Sequence, residues 1–247
     1  MKNNTLTLLA LSLSLILASC SSKSSVNGTV AVKMAGSTAS GSTTSSGRLA
    51  TDPSGRTQGV IVLTSVKMNF RDIKFEVDDN HKKSSTDTTY EDVKLKGPFL
   101  FELLSANTFA LQTISSVSVP NGNYKDIKFK FAKVISNDAM NGKSISISGT
   151  INGAAFEFWS DTPESLKINF IDKTKNVIIN NNDVGLTIKM GLDQMLKLIQ
   201  GAIITGLTDK NNNGKIDIDP NNSDGYNDLY VAIKNALKSD SRLDDGK

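Results

Sequence analysis

The most concentrated chemistry in this chain lies in "TDKNNNGKIDID", Thr208 to Asp219. Side-chain oxygens recur there at alternate places, on Asp209, Asn211, Asn213 and Asp217, around Gly214. Counted from Asp209, these oxygens stand at places 1, 3, 5 and 9, and the Lys215 carbonyl stands at 7, which is the spacing of a calcium loop. A curling backbone points every second side chain inward, and a glycine at the sixth place makes a turn that a Cβ would hinder. Ile216 follows as the apolar residue that would dock the loop on a core. The chemistry implied is coordination of one hard cation by oxygen, without redox or acid–base work.

In these respects the stretch resembles the loops of EF-hand, dockerin and thrombospondin-type modules. It departs from the EF-hand at the twelfth place, where the bidentate Glu of that family is replaced by Pro220. Asp224 or Asp228 is then expected to complete the shell around Ca²⁺. With Asn at two ligand places and no bidentate Glu, the expected affinity is that of extracellular modules, about 10⁻⁴–10⁻³ M. The competing reading is a solvated Asn/Asp turn that needs no metal.

The loop must be held by its neighbours. "LDQMLKLIQGAI" before it places Leu192, Met195, Leu196, Ile199 and Ile203 at helical spacing. "YNDLYVAIKNALKS" after it does the same with Tyr226, Leu229, Tyr230, Ile233 and Leu237. A helix–loop–helix appendage is therefore expected over residues 191–240.

Upstream the period is two. In "GVIVLTSVKMNFRDIKFEVDD", Val60, Val62, Val66, Met68 and Phe70 are even, whereas Ile73, Phe75 and Val77 are odd. A strand cannot change its buried face without a slip, so a bulge or sharp bend is expected at Arg71–Asp72. Gly97–Pro98 reads as a break and Pro120–Asn123 as a turn. "KSISISGTINGAAFEFWSD" gives the clearest local signal. Asn152–Gly153 suits a two-residue type I′ turn, which pairs Ile151 with Ala154, Gly149 with Phe156 and Ile147 with Phe158. Trp159 falls on the opposite face, to stack on a ligand or to cover a sheet edge. "GTVAVKM", "ESLKINF" and "DVGLTIKM" add alternating strands, and residues 36–58 read as a Ser/Thr/Gly linker or loop. The expected fold is mainly β: an antiparallel β-sandwich over residues 28–190 with the C-terminal helix–loop–helix.

"GTVAVKM", "VKMNFRDIKFEV", "GPFLFELLS" and "VPNGNYKDIKFKF" together resemble an uncharacterised β-sandwich domain family of bacterial lipoproteins. Gly122, Tyr124, Ile127 and Phe129 match its turn-and-strand signature, over roughly residues 27 to 135. The resemblance implies fold and location, not an activity.

The N-terminus fits that family. Lys2 precedes an apolar run from Leu6 to Ala18 that is too short to span a bilayer. It ends in Leu17-Ala18-Ser19-Cys20, which resembles a lipobox, and Cys20 is the one cysteine of the chain. The resemblance implies cleavage after residue 19, diacylglycerol on the Cys20 thiol, and acyl chains as a stable membrane anchor. Residues 20–27 read as a tether, and Ser21 suits sorting to the outer membrane. The alternative is an ordinary secretory signal with an incidental cysteine.

With 28 basic and 25 acidic residues and no basic stripe interleaved with aromatics, nucleic acid is not the expected partner. His81 is the one histidine, set beside Lys82 and Lys83, so a His-dependent triad or zinc site has little to build on. No nucleophile elbow or phosphate loop is present. The expected protein is a lipid-anchored, non-enzymatic envelope or surface module with an unknown protein or glycan ligand. An accessory subunit of an envelope complex and a two-carboxylate glycoside hydrolase are the alternatives.

Overall fold

The computed structural model describes residues 27–38, 44–45, 59–77, 92–105, 108–136, 138–169 and 177–244. Cys20, His81 and most of the Ser/Thr/Gly stretch lie outside the described residues. The chain begins with β1 (Asn27–Ser37), β2 (Thr44–Ser45), β3 (Ile61–Val77), β4 (Val93–Ser105) and β5 (Thr108–Phe109). It continues with β6 (Gln112–Pro120), β7 (Gly122–Phe131), β8 (Ile145–Ile151), β9 (Ala154–Ser160) and β10 (Ser165–Asn169). Then follow β11 (Val177–Ile179), β12 (Asp183–Gly191), α1 (Asp193–Ile204), β13 (Lys215–Ile218), α2 (Asn227–Ser239) and β14 (Ser241–Asp244).

Two sheets pack face to face. One has four strands in the order β14-β12-β1-β6, and the other has ten, with the path β10-β7-β3-β8-β9-β13. Val30, Val32, Met34, Leu186, Ile188 and Met190 from the first meet Phe70, Ile73, Phe75, Ile127 and Phe129 from the second in one buried core. The architecture is the mainly-β sandwich expected, with two helices near the C-terminus. Its pairing is antiparallel except at β1/β12 and β9/β13, which run parallel. The chain after residue 191 is bound into the body by β13, which lies between the helices and pairs with β9, and by β14, which closes onto β12. Tyr230 of α2 stacks on Phe158 with ring centroids 5.9 Å apart.

The slip on β3 lies at the expected place: its register against β4 and β7 shifts between Phe70 and Asp72. A second slip, between Leu63 and Ser65, was not expected. It turns Ile61 and Leu63 into the core and leaves Val60 43% exposed, so the inward assignment of Val60 and Val62 is corrected. Four consecutive apolar residues fit either phase, and the pattern alone could not choose. Gly97–Pro98 is not a break, because β4 runs through it as one strand. The linker-or-loop reading of residues 36–58 also gives way in part, since Gly36 and Ser37 belong to β1 and Thr44–Ser45, inside the stretch, pairs with Val62 and Ile61. The hairpin register agrees pair for pair, with φ of 51° at Asn152 and 84° at Gly153.

The Asp/Asn loop and its clasp

The loop runs from the end of α1 into β13. Its curl needs left-handed backbone at Asn212 (φ 58°) and Gly214 (φ 88°), conformations that Gly and Asn tolerate best. Side chains satisfy the freed backbone donors. Asp209 accepts the Gly214 N–H at 2.7 Å, Asn211 Oδ1 accepts the Asn213 N–H at 2.9 Å, and Asn213 Oδ1 accepts the Lys215 N–H at 3.0 Å. Ile216 is buried, as expected of the docking residue.

Asp217 is the point of convergence. Its Oδ2 accepts the side-chain amides of Asn213 at 2.6 Å and Asn211 at 3.4 Å. Its Oδ1 meets the Lys215 ammonium at 2.9 Å. Burial pushes the Asp217 carboxyl up, but the bonds from Lys215, Asn213 and Asn211 outweigh it and hold the carboxyl below its usual range. Positions 3, 5 and 9 of the loop are therefore gathered at one carboxylate. Each asparagine presents its nitrogen there, and a half-turn of the amide would present oxygen instead.

Asp224 has a different task. It is 2% exposed, and its two oxygens accept three backbone N–H groups, from Lys210 (3.1 Å), Asn211 (2.9 Å) and Asp217 (2.7 Å). It ties the two limbs of the loop together. Asp228 is exposed in the first turn of α2 and makes no hydrogen bond to the loop. Asp219, which was not a candidate, accepts the Asn221 N–H at 2.7 Å and turns the chain toward α2. The base of the loop closes where the Tyr226 hydroxyl accepts the Thr208 N–H at 2.8 Å and donates to the Thr208 carbonyl at 3.0 Å. Among the described residues, no group of three or more His, Cys, Asp or Glu side chains is gathered for a metal.

The residue that sequence reasoning missed is Glu157, on the outer face of β9. Lys215 bridges to it at 2.8 Å, Ser146 donates to it at 2.7 Å, and Lys143 also pairs with it. Burial pushes the Glu157 carboxyl up, and the bonds from Lys143, Lys215 and Ser146 more than reverse this, holding it below the ordinary glutamate range. Lys215 is pushed down by burial and raised further by Asp217 and Glu157, so its charge is secure. Glu157 and Lys215 meet because β13 pairs in parallel with β9, Lys215 opposite Ala155 and Asp217 opposite Glu157. Only that non-local pairing could have revealed the contact. Beside it, Trp159 is half-buried on the same outer face, with the Lys143 ammonium 5.6 Å from its ring centroid.

Fold and loop define a broad class, a two-sheet β-sandwich whose C-terminal helices carry an Asp/Asn turn bound into the sheet edge. No protein-family model matches the chain, and no curated protein or solved structure matches it either.

Proposed function

We propose that the protein is a lipid-anchored, non-enzymatic binding module of the bacterial envelope. Cys20 carries the lipid, and the loop of Asp209, Asn211, Asn213, the Lys215 carbonyl and Asp217 holds one Ca²⁺. The observation that supports the cation is the convergence of Asn211 and Asn213 on Asp217 within hydrogen-bond distance, beneath a backbone curled at Gly214. To admit the ion, Asn211 and Asn213 give up the backbone N–H bonds that their Oδ1 atoms accept and turn those oxygens inward, and Lys215 withdraws to Glu157. The carboxylate that completes the shell is Asp228, one turn into α2, or a free lone pair of Asp224.

The polarity of the fold supports the binding role. Asn27, the start of β1, pairs with Pro120 beside the β6–β7 turn, at the end of the sandwich where β3 finishes. The loop adjoins the Asn152–Gly153 tip at the other end, where β3 begins. β3 is 17 residues long, and at roughly 3.3 Å per residue it separates the two poles by about 50 Å. A tether entering at Asn27 puts the loop at the pole farther from the anchor.

The test is thermal melting in chelator and in millimolar calcium, for the wild type and for Asp209→Ala/Asp217→Ala. At tenfold excess over Kd, calcium is expected to add about 1.4 kcal/mol to the wild type and nothing to the double variant. Equal melting with and without calcium would leave the loop a self-satisfied polar turn.

A further inference from the structure

The outer face of the ten-stranded sheet carries an unusual row. Lys74 of β3 stands directly opposite Lys94 of β4 on one side and Lys128 of β7 on the other, and Lys128 stands opposite Lys167 of β10. Four lysines thus lie in one line across four neighbouring strands, which are about 4.8 Å apart. The next row places Asp72 between Lys96 and Lys130, with Arg71 beside it in the bulge. Like charges in direct cross-strand register are destabilising. The fold relieves this with carboxylates set beneath: Lys74 pairs with Asp92 (2.8 Å) and Glu76 (3.1 Å), Lys128 with Glu76 (2.6 Å), and Lys94 with Asp72 (3.4 Å).

The layering decides what a partner meets. Side chains of Arg71, Lys94, Lys128 and Lys74 are 55, 49, 38 and 37% exposed, whereas those of Asp92, Glu76 and Asp72 are 26, 12 and 10% exposed. Asp126, opposite Glu76 in the third row, is 5% exposed. The acids form a floor and the bases form the outer surface. The position matters as well. Lys74 lies three residues from Val77, which ends β3 at the pole where β1 begins. A tether from Cys20 to Asn27, at about 3.5 Å per residue or less, keeps that pole within about 25 Å of the anchoring bilayer.

We infer that the outer face of β4–β3–β7–β10 docks on anionic phospholipid headgroups of the membrane that carries the lipid anchor. The inference rests on the lipid-anchor reading and names a second contact with the same membrane. The acyl chains hold the protein on the bilayer, and a basic patch near an anionic surface is a second signal that selects the face laid against it.

The test uses the mature lipidated protein in vesicles of phosphatidylcholine alone or mixed with phosphatidylglycerol. The readout is the rate of amine acylation at each lysine, read by mass spectrometry. Lys74, Lys94 and Lys128 are expected to react about fivefold more slowly on the anionic vesicles, the factor for one lysine at such a surface. Lys33 and Lys189, on the outer face of the other sheet, should react equally on both, and high salt should erase the difference. Lys94→Glu/Lys128→Glu should lose the protection of Lys74 while still floating with the vesicles. Flotation with equal rates on both vesicles overturns the docking and leaves the anchor standing. Failure to float with either vesicle overturns the anchor, and the docking with it. Protection of the row by a soluble acidic polysaccharide, without protection by anionic vesicles, overturns the membrane as the partner.

Discussion

At the residue scale, Glu157 shows how one carboxylate can hold a loop to a sheet. Its partners come from three places: Lys143 before β8, Ser146 within it, and Lys215 in β13. Its carboxyl sits below the usual range, so it stabilises the fold fully above the ordinary glutamate pKa. That contribution drains away as pH falls through the lower, folded value. Glu157→Gln should therefore cost about 1–3 kcal/mol near neutrality. The gap to wild type should close as pH falls through the carboxylate range, which denaturant melts at a series of pH values would measure. A gap that stays constant into strong acid would mean that the charge of Glu157 contributes nothing. Asp224 works by a different rule, since its oxygens replace backbone partners that no neighbouring strand offers.

Among the elements, the β8–β9 hairpin is the most fully determined. Phe158 is fully buried between its hairpin partner Ile147 and Tyr230 of α2. Phe158→Ala should cost about 3–5 kcal/mol in a chemical melt. Two glycines in the same hairpin should behave differently. A Cβ on Gly149 would lie 1.9 Å from the Val62 carbonyl oxygen, and main chain cannot move aside as a side chain can. Gly149→Ala should therefore cost about 3 kcal/mol or more. At Gly153 the added methyl meets nothing within 4 Å, and φ of 84° is the sole obstacle. Gly153→Ala should cost only about 1–2 kcal/mol. If the two alanines are equivalent, the close approach at Gly149 is not what fixes that strand. The hairpin was legible because Asn152–Gly153 and the alternating pattern specify the same register. The bulge at Arg71 was legible because the apolar phase visibly changes there. The slip near Thr64 was hidden by the apolar run from Val60 to Leu63, and β6 by its serine-rich "QTISSVSV". β13 was hidden because Lys215 and Asp217 fall at ligand places of a calcium loop, although Ile216 and Ile218 are both buried. The loop was legible as spacing, but its clasp was not, because Glu157 and Asp224 act through pairings that sequence neighbours do not announce.

For the whole molecule, the lipid anchor is a proposal that stands apart from the fold. No described helix is long and apolar enough to cross a membrane. Cys20→Ser is expected to move the protein from the detergent phase to the aqueous phase, or to leave an uncleaved precursor. A wild type already aqueous in detergent partitioning would end the lipoprotein reading. The position of β1 carries a further consequence. It is the first described strand to be synthesised, yet it lies inside its sheet, flanked by β6 and by β12 in parallel. Thr29 must wait for Asp183, across more than half of the chain. Contacts of such sequence separation slow folding, because loop-closure entropy is lost before the contact rewards it. A nascent chain that lacks its last quarter therefore cannot close this sheet, and completion of the core is deferred until nearly all of the polypeptide has emerged.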